Sequence, residues 1–367
     1  MSTVSTAVER ASAPRNPSNL SGLDYRAEAR TFAALPYPII DAHTHVHGAA
    51  AAQLYREAAR LYGVGFTWSM TTLEQVEAVS AALEGKVHFI AVPDFTDPNR
   101  LRAHGDAFLE RIEAFHRLGS RIVKFWSAPR GLDLGREAGS PDLLRLDSPN
   151  RLAAMEVAHR LGMRFMVHVA DPDTWFATRY SDRSRYGSKR DHYDPLERLL
   201  DRFPCKWLAA HMAGWPEDLD FLDGLLERHP NLHLDCSATK WMVRELSRHE
   251  PARLAAFLGR WKGRILFGSD IVTSDDHMRR GENKTEMAAK GNSPEEAFDL
   301  YASRYWAYRT MFERQVDRTS PIADPDLAMI DPQRFGPMDA PRLRGSPLDP
   351  HVLRWLYHDS AAAFLAD

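Results

Sequence analysis

Short apolar runs alternate along this chain with longer stretches whose apolar residues recur every three or four positions. The runs "YPIIDAH", "GFTWSM", "KVHFIAVPDF", "SRIVKFW", "MRFMVHVAD", "CKWLAAHM", "NLHLDCSA" and "GRILFGSD" are rich in β-branched and aromatic residues and read as strands. The stretches "AAQLYREAARLYG", "TLEQVEAVSAALEG", "RLAAMEVAHRLG", "PLERLLDRFP" and "PEDLDFLDGLLERHP" carry the helical period, and several stop at Gly or His-Pro. Most of the strands are apolar on both faces, which calls for cover on both sides of a parallel sheet. Eight such strands alternating with helices predict an α/β fold, a closed (β/α)8 barrel, over an open doubly wound sheet. No GxGxxG follows the first strand, so the main signature of a dinucleotide fold is missing.

Three stretches exceed ordinary loop length. One follows strand five, "DPDTWFATRYSDRSRYGSKRDHYD", and one follows strand eight, "IVTSDDHMRRGENKTEMAAKGNSPEE". The second leads into an aromatic helical segment, "AFDLYASRYWAYRTMFE", which predicts a helical insertion after strand eight. The third, "DRTSPIADPDLAMIDPQRFGPMDAPRLRGSP", is dense in Pro and Asp and is expected to be irregular. "DPHVLRWLYHDSAAAFL" reads as a closing helix. Residues 1–30 are polar and read as a flexible N-terminal arm, leaving 31–367 as one barrel domain.

Composition narrows the picture further. With 367 residues, 44% hydrophobic and 26% charged, the chain has material for one large soluble core. A formal net charge of −3 gives no reason to expect a nucleic acid as partner. No apolar stretch approaches the ~20 residues of a membrane helix, so no membrane is expected either. The polar start, with Glu9 beside Arg10, is not expected to act as a secretory signal. Cys205 and Cys236 cannot build a disulfide framework and are expected as buried thiols in a reducing cytoplasm.

The chemistry enters with "PIIDAHTHVHG". His43, His45 and His47 stand at every second position, so in a strand they share one face, and imidazoles so placed are good metal ligands. Other polar residues fall at comparable places: Lys124 in strand four, His168 in strand five, His211 in strand six and Asp270 in strand eight. Each alone reads as a satisfied buried polar group. All of them lie at or near the C-terminal end of a strand, the mouth where barrel enzymes build their sites, and together they read as a metal site. His47 continues the alternation as the strand ends and is expected to make a loop hydrogen bond, while His88, His233 and His277 match no ligand position. The strand-five loop carries Trp175, Arg179, Arg183, Arg185, Lys189 and Arg190, and Lys240 and Trp241 follow strand seven. These read either as solvated charge or as recognition of an anionic, aromatic substrate.

The order Asp-x-His-x-His on strand one, His on strands five and six, and Ser-Asp on strand eight resembles the amidohydrolase superfamily. The chain is most similar to its amidohydrolase-related branch, the aminocarboxymuconate semialdehyde decarboxylase-like TIM-barrel enzymes, from about residue 37 onward. "LFGSD" and "YHDSAAAFL" resemble that branch's last strand and closing helix. The resemblance implies that His43, His45, His168 and Asp270 ligate one divalent metal, most simply zinc, a donor set that suits that ion. It further implies His211 as proton shuttle and Asp270 as both ligand and proton acceptor. Asp41 fits a carboxylate that orients a ligand from behind or a structural role at the strand end. Lys124 stays ambiguous: an ammonium facing substrate, or a carboxylated bridge in a binuclear site.

Three functions compete. The first is a metal-dependent hydrolase opening an amide, lactone or ester bond of a small anionic substrate. The second is a non-oxidative decarboxylase at the same site, and the third a metal-binding protein without turnover. The presence of His211 beside a ligand set with an open position argues against the third. Lys124, Arg179 and Trp241 are the expected substrate contacts. The expected partner is a small molecule, with a homodimer as the assembly and the cytoplasm as the location.

Overall fold

The computed structural model describes residues 16–281 and 284–366. Nine parallel segments form one sheet: β1 (Ile39–His45), β2 (Val64–Ser69), β3 (Val87–Ala91), β4 (Ile122–Trp126), β5 (Arg164–His168), β6 (Trp207–Ala209), β7 (Leu232–Asp235), β8 (Ile265–Leu266) and β9 (Ile271–Val272). Their spatial order is β8-β7-β6-β5-β4-β3-β2-β1-β9. β8 pairs with β7 and β9 pairs with β1. Between them, the Ala42 N–H donates to the Phe267 carbonyl and the Asp270 N–H to the His43 carbonyl. One continuous segment, 264–273, thus joins both edges and closes the sheet as an eight-stranded barrel.

A helix follows each of the first seven strands: Ala49–Leu61, Val76–Ala82, Asp106–Arg117, Pro149–Arg160, Tyr193–Arg202, Leu219–Arg228 and Pro251–Arg260. Pro149 and Pro251 open their helices where a missing N–H costs nothing. The Asp218 carboxylate caps another by accepting the Phe221 N–H at 2.9 Å. Aromatic rings fill the core edge to face, Phe125 on Phe165 at 5.4 Å and Phe165 on Trp207 at 4.8 Å between centroids.

Two strands end earlier than their apolar runs suggest. β6 stops at Ala209 because the next residues leave the β region, and strand eight splits into β8 and β9 around Phe267–Asp270. At Gly268 a Cβ would stand 2.9 Å from the Cβ of His43, so only glycine lets the two strands pass there.

The predicted insertion is a 20-residue helix, Pro294–Glu313, opened by the Ser293 cap. From Ala297 to Phe312 it is buried on nearly every side, with Phe298, Tyr301, Tyr305, Trp306, Tyr308 and Phe312 in the core. The Pro- and Asp-rich stretch after it is more regular than expected. It holds an antiparallel pair, Val316–Thr319 with Arg342–Gly345, and a short helix, Asp326–Ile330. Leu343, fully buried, anchors the pair.

Of the expected arm, residues 1–15 lie outside the described residues. From Asn16 onward the segment is docked against the barrel. The Asn16 and Asn19 amides each donate to Asp299 at 3.0 Å, and Tyr25 is buried with its hydroxyl on the Ser18 carbonyl. Arg26 lies 3.6 Å over the Phe298 ring. A few anchors suffice against the insertion helix, and a polar average hides them. Cys205 is half-buried and Cys236 buried, both as free thiols. No helix among the described residues is long and apolar enough to cross a membrane.

Candidate active site

The C-terminal ends of β1, β5, β6, β7 and the β8–β9 junction converge on one mouth. His43 and His45 both turn an Nε2 to Asp270 Oδ1, at 3.5 and 3.3 Å. The ligand-capable atoms of these three residues lie within 4.8 Å of one another. His43 Nδ1 stands 2.8 Å from Asp235 Oδ2, an arrangement that fixes the tautomer and leaves Nε2 as the ligating atom. One imidazole backed in this way, a second beside it and one carboxylate are the donor chemistry of a zinc-type site. His43, His211 and Asp235 form a second cluster that shares His43.

His211 lies against both imidazole neighbours, its ring centroid 4.9 Å from His43 and 4.8 Å from His168. Its Nδ1 meets the Ser237 hydroxyl at 2.8 Å, and the same hydroxyl reaches His43 Nδ1 at 3.0 Å and Asp235 Oδ1. His168 is close but outside both donor groups: its Nε2 is engaged by Asp171 at 2.9 Å, and Tyr180 holds the other oxygen of that carboxylate at 2.9 Å. Asp235, Ser237 and Asp171 were not anticipated. "LHLD" ends a strand in a carboxylate by the rule that selected Asp270, so Asp235 could have been found. Ser237 carries no such signal.

Backbone strain gathers at the same mouth. Six non-glycine residues among those described have positive φ, and five of them are His211, Met212, Ala213, Ala238 and Asp270. They directly follow β6, β7 and β8. His211, Met212 and Ala213, at φ 58, 52 and 51°, form a left-handed turn that Gly214 completes, where a Cβ would meet the Ala170 carbonyl at 2.7 Å. Left-handed backbone costs on the order of 1–2 kcal/mol for each such residue. Conformations of this kind persist where surrounding contacts hold them, and they cluster at functional sites. Here the Asp235 carboxylate accepts the His211 N–H at 2.9 Å, pinning the start of the turn.

The electrostatics follow from burial and pairing. Burial raises the Asp235 carboxyl, but His43, His211 and Ser237 outweigh it and hold it well below the carboxylate range. Asp270 is likewise ionised: burial opposes the charge, and His45, His211 and His43 overcome it. Burial also drives His43 and His211 down, keeping them neutral, as ligation and proton acceptance require. Asp41, fully buried, is raised to about 7 by desolvation against hydrogen bonds from Ser269 and Tyr305. The Lys124 ammonium is buried with no hydrogen-bond partner among the described residues and is pushed down to about 8 by desolvation.

Above this floor opens a cavity of about 460 Å³, lined among others by His168, His211, Asp270, Trp175, Arg179 and Trp241. That volume lies in the range of small-molecule sites. Arg179 stacks 4.2 Å over Trp175, and Trp241 donates to Glu217 at 3.1 Å. Other cations of the strand-five loop are spent elsewhere: Arg185 on Asp133, Lys189 on Asp173 and Glu217, Arg190 over the Phe221 ring. The remaining histidines serve the fold. Thr273 bonds both main-chain groups of His47, His88 accepts the Arg121 N–H, and His277 pairs with Tyr301.

No protein-family model and no curated protein matches this sequence. Among solved structures, a probable 2-pyrone-4,6-dicarboxylic acid hydrolase of Acinetobacter baumannii with citric acid bound is similar at 11% identity and a TM-score of 0.44, covering 89% of this chain and 98% of that one. A 2,6-dihydroxybenzoate decarboxylase from Rhizobium follows at 15% identity and a TM-score of 0.40, covering 72% and 98%. A 5-carboxyvanillate decarboxylase of Novosphingobium aromaticivorans complexed with manganese stands at 12% and 0.37, covering 74% and 93%. Likenesses this distant do not reach the reaction of this chain. By their names these neighbours are a hydrolase and two decarboxylases, the two reaction classes implied by the resemblance to the amidohydrolase-related branch.

Proposed function

We propose that the chain is a metal-dependent hydrolase of the amidohydrolase type, a single catalytic domain acting in the cytoplasm on an amide, lactone or ester bond of a small organic substrate. In this reading His43, His45, His168 and Asp270 hold one divalent ion, zinc. His168 joins them by giving up its bond to Asp171. When bound, the ion supplies the electrophile that polarises a carbonyl and acidifies water. The observation that carries the reading is the set of His43, His45 and Asp270 donor atoms within 4.8 Å of one another, beside His211 at the floor of a cavity.

The chain's own residues then divide the work. Asp270 takes the proton of the attacking water. The proton then passes from Asp270 to Nε2 of His211, whose Nδ1 is tied to Ser237, and from that imidazole to the leaving group. Ser237 and Asp235 act as positioning residues, since they fix the two imidazoles rather than touch substrate. Trp241 and Trp175 wall the cavity and exclude water from the reacting bond.

A second reading, non-oxidative decarboxylation at the same residues, draws support from the guanidinium of Arg179, which faces the cavity where a departing carboxylate would lie. The unpartnered Lys124 amine favours a binuclear variant with a carboxylated bridge. The test is elemental analysis of the purified protein, followed by a panel of amides, lactones, esters and aryl carboxylates assayed separately for hydrolysis products and for CO2. Hydrolysis abolished by chelation and restored by zinc is expected. CO2 release without hydrolysis favours the second reading, and protein that takes up no metal overturns both.

A further inference from the structure

The lining of the cavity carries three cations from three separate elements. Lys240 comes from the helix Thr239–Leu246 after β7, Lys290 from the loop before the insertion, and Arg304 from the insertion helix itself. All three are partly buried, and among the described residues none makes an ion pair with a carboxylate. The Lys240 amine has no hydrogen-bond partner among the described residues. Lys290 finds only the Met287 sulfur at 2.9 Å. Arg304 uses Nη1 on the Ser18 and Ser303 hydroxyls, at 3.0 and 2.8 Å.

The nearby acids are committed elsewhere or solvated. Arg244 takes Asp324 and stands 3.6 Å from Asp326, which also accepts the Trp175 indole N–H at 2.8 Å. Glu286 is exposed. Three uncompensated cations therefore crowd one wall. Burial lowers the Lys290 amine, and Lys240 and Arg304 lower it further. Unpaired charge at partial burial is costly unless something of opposite sign joins it.

We propose that Lys240, Lys290 and Arg304 form an anion subsite, and that it holds a carboxylate of the substrate remote from the bond that reacts at His211 and Asp270. This deepens the reading of the cavity as a hydrolytic site and rests on it for what the remote carboxylate is attached to. Arg304 belongs to the insertion helix and Lys290 to the loop that leads into it, so this part of the chain after strand eight is the element that selects the substrate. The sequence-based expectation drew on the strand-five loop together with Lys240 and Trp241, and Lys240 is the residue it shares with this subsite.

The experiment is calorimetric titration of the purified protein with isophthalate, benzoate and benzamide, which place two, one and no carboxylates on the same ring. Elemental analysis is run on the same samples. Isophthalate should bind about tenfold more tightly than benzoate, and benzamide should not bind measurably, since a charge-assisted hydrogen bond is worth about one decade or more. Lys290→Gln and, separately, Lys240→Gln should each cut isophthalate affinity about tenfold while leaving metal content unchanged and lowering the melting temperature of the free protein in neither case. Lys290→Arg should restore it. Equal affinity for isophthalate and benzamide, or variants that both bind isophthalate like the parent chain, would overturn the subsite. Metal content separates the two claims. Protein that binds metal but does not discriminate the anions loses the subsite alone, and protein that discriminates anions but takes up no metal loses the hydrolytic reading alone.

Discussion

On the cavity floor, three imidazoles have partners waiting: Asp235 for His43, Ser237 for His211, Asp171 for His168. On the wall, Lys240 and Lys290 face the same space without an oxygen partner among the described residues. The floor is assembled in advance, at the expense of five left-handed residues, whereas the wall is left incomplete until something enters. Chemistry needs fixed geometry before the substrate arrives. Recognition gains when the protein lacks a counter-charge that the ligand supplies. The two regions should therefore fail in different ways.

The largest effect is expected on the floor. Asp270→Ala removes a carboxylate shared by His43 and His45, so metal content by elemental analysis should fall towards zero and turnover should drop to that of chelated protein. Retained metal would show that the donor set lies elsewhere. His211→Ala comes next. The proposed metal ligands remain, so metal should stay while kcat falls on the order of 10²- to 10⁴-fold, the typical loss for a positioned acid–base group. Loss of metal instead would make His211 a ligand and favour the binuclear site with carboxylated Lys124.

Ser237→Ala sharpens the comparison further. The hydroxyl touches two imidazoles and Asp235, so its removal should cost about 10- to 100-fold in kcat or metal affinity, the usual scale for groups that orient ligands. Ser237→Thr should recover most of that loss, and the pH optimum should move in the Ala variant because His211 loses its Nδ1 partner. A variant indistinguishable from the parent would reduce Ser237 to packing.

The barrel and most of the floor were legible because two periodicities are strong. Alternation placed His43 and His45 on one face, and apolar runs ending in polar residues marked His168, His211 and Asp270. The left-handed turn was not legible, since "AHMAG" shows only the glycine that completes it. The wall was not legible for a different reason. The strand-five loop is dense in Arg and Lys, but Asp133, Asp173 and Glu217 neutralise Arg185 and Lys189. Lys240, Lys290 and Arg304 are scattered in sequence and meet only through the insertion helix. Counting charge in a segment cannot reveal which charges lack partners. The docked segment after Asn16 escaped notice similarly, because Tyr25 and Arg26 carry the contact in an otherwise polar stretch.

The smallest predicted effect concerns pH on the wall. Burial pushes the Lys290 amine down to about 8, with Lys240 and Arg304 acting in the same direction and Asp270 and Glu286 against it. Lys240 is also lowered, by burial first and then Arg304, against Asp324 and Asp326. Arg304, lowered to about 10 by burial, keeps its charge throughout. The folded pKa of Lys290 lies below the ordinary lysine value of 10.5, so between about 8 and 10.5 the unfolded chain binds more protons. The penalty this lysine imposes on the free protein is therefore full below about 8 and relieved as pH rises through that window. Anion binding runs the opposite way, since only the protonated amine attracts a carboxylate. Isophthalate affinity should fall by a few-fold from about pH 7 to about pH 9, the range in which an amine titrating near 8 loses most of its charge. Lys290→Gln should flatten most of that slope, while benzamide should stay unbound at both pH values in either protein. An affinity that stays constant across the window in the parent chain would mean that the amine keeps its proton or never meets the anion, and the wall would then be as passive as any solvated surface.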